Sequence, residues 1–383
     1  MFWGTILVGT VTAYWVLRYL FCRLMYPKPL PGIPYIESSL DRILGDLPQI
    51  KSHSRMTKET TEGMFAVAKR LGSPIAQLIF PVFQSRRIVI VDDPREAEHI
   101  LCHRHHEFDR SIVTSQFWLP LFPHSTIAQA TTPKLKAQKR LWAGTMNTKF
   151  LDRVVAPNMW YASMELVDLW RLKAVASDGN AFDVAKDFSN AALDAIWVAV
   201  FGQPLGVLKR ELHDLVMVLA KKQGIKPEMF DGEKYHTENM TATEKKRMEN
   251  AAVVQQAVTY MNEIVLMGFR SFWPALTFSL LKLSPTYRRF KKVTYGKVKE
   301  LMAQACQRYQ REVMLFEAAN SDVEGEYLDT CAMDLVLRRQ ILTAKKEGHP
   351  MGDPTKDQAM LEELLLLLLA VSSFSGLIFT IRF

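Results

Sequence analysis

His99 and His103 stand four residues apart with Cys102 between them, and His105 and His106 follow at once. On a helix that spacing puts two imidazoles on one face, as a zinc pair needs. A site requires further ligands. No H-E-x-x-H occurs and no second ligand cluster closes one, so the group reads as a solvated helix end and no metal site is assigned. The four cysteines, Cys22, Cys102, Cys306 and Cys331, are far apart with no C-x-x-C pair. Neither a disulfide framework nor a zinc knuckle follows, and reducing surroundings fit such sparse usage. There is no G-x-S-x-G, no Walker A loop and no G-x-G-x-x-G, so hydrolase, nucleotide-binding and Rossmann readings have no motif. No catalytic residue is assigned. The formal charge of +8 suits an anionic membrane surface, an acidic protein or nucleic acid equally well. Charge alone is too little to name nucleic acid as a partner, and none is expected.

Whatever chemistry the chain supports must be held by a large core, which 383 residues at 48% hydrophobic content allow. Six consecutive leucines, Leu364 to Leu369, follow Glu362 and Glu363. A helix with no polar face must be buried in protein or in lipid. In a completed fold later helices would cover it, so in this chain it is expected to be partly uncovered and the carboxyl half loose. At the other end, Phe2 to Leu17 is apolar and uncharged, and Arg18, Arg23 and Lys28 come only at or after its close. Residues 1–26 are read as a retained membrane anchor, with the basic flank and the body in the cytosol. Pro27, Pro29, Pro31 and Pro34 with Gly32 make residues 27–35 a stiff hinge.

Beyond the hinge, Gly63 to Arg70 reads as a helix, and Ile75 to Phe80 and Arg87 to Val91 as strands around a turn at Pro81 to Ser85. Asp93 before Pro94 is an N-cap with proline at N1, starting a helix to about Arg104. Leu151 to Lys173, Phe188 to Phe201, Pro204 to Lys222 and Trp273 to Leu283 carry apolar residues at helical spacing. The polar stretch Lys221 to Glu249 reads as a surface loop or mobile cap, and Asn320 to Gly325 as another loop.

This order of elements, with Phe108-Asp109-Arg110-Ser111 after the helix begun by Asp93-Pro94, resembles a membrane-bound cytochrome P-450 of a fungal kind. Lys134 to Leu151 looks like that family's helix C, and Leu193 to Gly202 like the end of its helix E. Asp334 to Gly348 and Met360 to Ala370 look like the approach to its central I helix and the first half of it. The resemblance implies a mainly α fold with a small β-sheet, incomplete and preceded by a single transmembrane helix, with residues 36–370 forming the amino-terminal part of the family's domain. It also implies haem, NADPH electrons through a reductase, oxygen insertion into an apolar substrate, and an endoplasmic reticulum membrane. In the family an arginine after helix B and a W-x-x-x-R pair on helix C meet the haem propionates. Arg110 fits the first position, whereas the pair is replaced by Leu135 and Lys139. Lysine keeps the charge and loses the bidentate fork.

Other family marks are missing from these residues. No F-x-x-G-x-x-x-C-x-G occurs, and E-x-x-R is matched only formally, at Glu107 with Arg110 and at Glu244 with Arg247. After Ala370 the sequence reads Val371, Ser372, Ser373, Phe374, Ser375, where the family continues A-G-x-[DE]-T. Residues 371–383 are therefore read as an aberrant apolar tail, encoded by a retained intron. The competing reading takes Leu364 to Ile381 as a second membrane helix. On function, too, two readings stand: a monooxygenase whose present chain binds no haem and is inactive as it stands, and a non-catalytic, membrane-tethered helical protein that binds an apolar ligand or partner.

Overall fold

Branched side chains build the one sheet among the described residues: β1 (Ile75–Leu78) and β2 (Ile88–Val91) pair antiparallel, Ile75 opposite Val91 and Leu78 opposite Ile88. A computed structural model describes residues 11–379 apart from 13, 22–25, 27, 58, 82–87, 105, 224–241, 272, 319–329 and 349–351. Within these the chain divides into two units, Met1–Val113 and Thr114–Phe383.

In the first unit α1 (Leu47–Thr57) and α2 (Thr60–Leu71) pack together, and Ile50, Val67 and Ala68 meet Ala76, Leu78 and Ile90 of the hairpin. α2 ends where Gly72 adopts φ +60 and its amide bonds back to Ala68 and Lys69, a left-handed helix stop that favours glycine. Buried Asp46 ties the unit's entry to the sheet: its Oδ2 accepts the Ile79 amide at 2.7 Å, and Ser39 Oγ donates to its Oδ1. Gly45, at φ +54, has no room for a side chain, because a Cβ would collide with the Ile79 carbonyl. The proline-rich hinge is held to the same sheet. The Leu30 amide donates to Gln77 Oε1 at 2.7 Å, and the Gln77 amide to the Pro34 carbonyl at 2.8 Å. Asp93 caps α3 (Pro94–Glu98) through the Arg95 and Glu96 amides, as its place before proline predicts. The helix then widens into a π-turn, His99–His103. The expected turn at Pro81 to Ser85 lies, but for Pro81, outside the described residues, and so does His105.

The anchor expected over residues 1–26 also lies largely outside them. Residues 14–21 are helical with their side chains exposed, and among the described residues no helix is long and apolar enough to cross a membrane.

After α4 (Ile112–Trp118), the second unit runs through α5 (Pro133–Trp142), α6 (Ala156–Ala176), α7 (Ala185–Phe201), α8 (Val207–Gln223) and α9 (Ala242–Arg270). It continues with α10 (Pro274–Leu283), α11 (Pro285–Ala318), α12 (Ala332–Glu347) and α13 (Gln358–Phe379). α13 carries the leucine run and packs against α7, α9 and α11. Leu364, Leu365, Leu368 and Leu369 are buried, and Leu366 and Leu367 are half-buried. At roughly 1.5 to 3 kcal/mol for each buried leucine, this face is a main source of the unit's stability. The expectation of a partly uncovered leucine helix is met at half-buried Leu366 and Leu367 and corrected at Leu364, Leu365, Leu368 and Leu369. Upstream helices already supply the cover.

Two other expectations change. The loop expected over Lys221 to Glu249 gives way to α9 from Ala242, because glutamate, lysine and arginine are good helix formers and Ala251, Val254 and Val258 supply a buried stripe. The helix expected over Lys134 to Leu151 stops at Trp142. A 3-10 turn, Ala143–Met146, follows, and the Asn147 side chain accepts the Phe150 amide at 2.7 Å to start the next turn. The Asn320 to Gly325 loop lies outside the described residues, as do residues 380–383 of the tail; residues 371–379 continue α13.

Asp194, in the middle of α7, is 4% exposed and reaches the start of α8. Its Oδ1 accepts the Gly206 and Val207 amides at 3.0 Å each, and its Oδ2 the Leu208 amide at 2.8 Å. One carboxylate thereby satisfies three donors that a helix start leaves open.

Candidate functional site

The two residues expected to meet haem propionates fall in different units. Arg110 lies in the first, half-buried in irregular backbone, its amide donating to Asp109 Oδ1 at 2.7 Å. Lys139 lies in the second, exposed on the last turn of α5. Leu135, at the family's tryptophan position, is buried, so the apolar side chain packs inward while the lysine faces water.

α5 is fixed at both ends. Thr132 Oγ1 accepts the Leu135 amide at 3.2 Å, just ahead of Pro133. From α12, Arg339 Nη1 donates to the carbonyls of Arg140 and Leu141, both at 3.0 Å. Those are carbonyls a helix end leaves open. Gly144 permits the crossing, since a Cβ there would collide with the guanidinium.

The loop after α4 clasps α13. The Glu362 carboxylate accepts the His124 amide at 2.6 Å. Glu363 accepts from Thr126 twice, from the amide at 2.8 Å and from Oγ1 at 2.6 Å. Gln138 of α5 donates from Nε2 to the His124 carbonyl at 3.1 Å, so one loop joins α5 to α13. Burial pushes the Glu362 carboxyl up, while the His124 and Ser125 amides pull it back. Burial also raises the Tyr287 and Tyr295 phenols, and the charge of Glu362 raises them further. Held by these backbone donors, the acid positions a loop.

A haem iron of the implied family needs a cysteine thiolate. Cys331 is fully buried at the start of α12 against Gly202, where burial pushes its thiol far above the usual range. Burial raises the Cys306 thiol as well. Cys102 is exposed within the π-turn, where the rings of His99 and His103 stack with centroids 5.5 Å apart. Among the described residues no group of three His, Cys, Asp or Glu side chains converges as a metal site. Cys22 lies outside them. Burial favours the neutral form of both the Cys331 and the Cys306 thiol. The motif that supplies the family's thiolate, F-x-x-G-x-x-x-C-x-G, is absent from these residues, so they do not fit the thiolate ligation of a haem iron.

Sequence reasoning missed Arg339, Gly144, Gln138 and the roles of Asp194, Glu362 and Glu363. Their partners lie up to 238 positions away, and no local pattern announces them. The one local signal was the pair of acids placed directly before a leucine run, which a purely buried helix has no use for.

A cytochrome P-450 family profile matches residues 42–317. A cytochrome P-450 monooxygenase of Pestalotiopsis microspora is 29% identical over 348 residues, covering 90% of this chain and 56% of that protein. One from Fusarium sporotrichioides is 31% identical over 185 residues, covering 48% of this chain and 31% of that protein. One from Penicillium crustosum is 26% identical over 313 residues, covering 80% and 51%. The chain spans about half the length of the curated relatives it matches.

Proposed function

The chain belongs to the cytochrome P-450 family, and on that premise we propose that it serves a haem-thiolate monooxygenase, which inserts one oxygen atom from O2 into an apolar substrate. The family match over residues 42–317 carries this reading. Relatives described as monooxygenases of the same family support it. The electrons would come from NADPH through a reductase. Within such an enzyme this chain's part is structural: a capped, basic α5 presents Lys139, Arg110 supplies a second cation, and α13 runs through the core as the central helix.

The 383 residues alone do not ligate haem iron through a thiolate and are inactive as they stand. The lack of F-x-x-G-x-x-x-C-x-G in these residues supports this reading. Purified protein of this length, reduced and exposed to carbon monoxide, is expected to lack the absorption band that gives the family its name. Appearance of the band would overturn the assignment.

The proposed location is the endoplasmic reticulum membrane, with residues 1–26 as anchor and the body in the cytosol. The apolar run Phe2 to Leu17 and its basic carboxyl flank support it. Protease added to intact microsomes should digest the body and leave a short protected fragment. A fully protected body would reverse the topology.

A further inference from the structure

In the second unit, α7, α9 and α11 border an open groove of ≈ 220 Å³. Its floor is apolar: Trp197, Leu205 and Leu301 are each buried. Its rim is cationic, with Lys246 and Arg247 from the second turn of α9 and Lys297 from α11. Lys297 Nζ is answered by Glu300 Oε2 at 3.0 Å. Lys246, Arg247 and the Asn250 amide have no ion-pair or hydrogen-bond partner among the described residues.

These cations sit toward the amino end of a helix of 29 residues, the end that already carries partial positive charge. Glu244, the acid of the first turn, faces Lys209 at 3.5 Å. Among the described residues, two charges are thus left without a partner at the mouth of a groove floored by Trp197, Leu205 and Leu301. Water satisfies the rim and leaves the floor poorly used; a neutral apolar ligand does the reverse.

We propose that this groove binds an amphipathic organic anion, a ring or short chain lying against Trp197 and Leu301 with its carboxylate on the Arg247 guanidinium. Arginine offers a planar fork that matches a carboxylate, and Lys246 adds a point charge beside it. The inference does not depend on the monooxygenase reading, because no residue of α5, α12 or α13 takes part.

The test is isothermal titration of the full 383-residue protein with 2-naphthoate, with 2-naphthylmethanol as its neutral counterpart and inorganic phosphate as an anion without an apolar body. Naphthoate should bind at least about tenfold more tightly than either. Arg247→Gln should weaken it by about tenfold, and the pair Lys246→Gln with Arg247→Gln by more, with unchanged thermal unfolding because both side chains are exposed. Lys292→Gln, an exposed charge on α11 away from the groove, should leave the affinity unchanged. The proposal fails if naphthoate does not bind, if naphthylmethanol or phosphate binds as well, if the double variant keeps its affinity, or if Lys292→Gln weakens binding as much.

Discussion

Replacing Asp194 by alanine should destabilise the second unit by about 3 to 5 kcal/mol, since the Gly206, Val207 and Leu208 amides would lose their acceptor inside the protein. Against a total of about 5 to 15 kcal/mol for a typical domain, that is a large share. Asp194→Asn, which keeps one acceptor oxygen, should lose less. The pH dependence separates the contributions. Burial raises the Asp194 carboxyl to about 6, despite three amides that favour its charged form, and Glu211 nearby adds to the rise. A carboxyl raised above its unfolded value of 3.8 contributes stability that is full below that value and is lost as pH rises through about 6. The gap in denaturant midpoint between the native protein and Asp194→Ala should therefore be wider near about pH 4 than near about pH 8. A gap that narrows in acid would show that the amides outweigh burial, and would reverse the sign.

The leucine run is expected to show a graded response of comparable size. Leu364→Ala and Leu368→Ala remove side chains that are 0% and 1% exposed, and each should cost about 2 to 5 kcal/mol through lost transfer energy and a cavity. Leu366→Ala and Leu367→Ala, at half-buried positions, should cost about 1 kcal/mol. Urea unfolding of the four variants is the measurement. Equal, small effects at all four positions would mean that the run is not packed by α7, α9 and α11, and would favour the membrane-helix reading of Leu364 to Ile381.

Local chemistry was legible from the amino acids themselves. Asp93 before Pro94 forms the cap its order demands, because a side-chain oxygen reaches amides two and three residues on whatever the rest of the chain does. The branched residues Ile88 to Val91 form a strand, and the apolar periodicity of Phe188 to Phe201 and Pro204 to Lys222 falls on helices within a few residues. Family membership was legible too, through the order of these elements. At Ala242 to Glu249 polarity suggests a loop where a helix forms, since charge marks a solvated face and does not by itself break a helix.

Tertiary structure alone decided which polar groups meet across the chain. Glu362 and Glu363 look from their neighbours like the polar edge of an apolar helix, yet they hold His124 and Thr126 of a distant loop. Arg339 looks like a solvated charge and instead closes the end of α5 over Gly144. Cys331 carries no sequence mark of its burial, and burial is what pushes its thiol up. The sequence determined the element starts that carry a cap or a clear period, as at Pro94 and Ile88, because caps and periodicity act within a few residues. Only the packed chain decided which donors and acceptors lose water together, because desolvation depends on what covers a group, and that cover comes from residues far away in the chain.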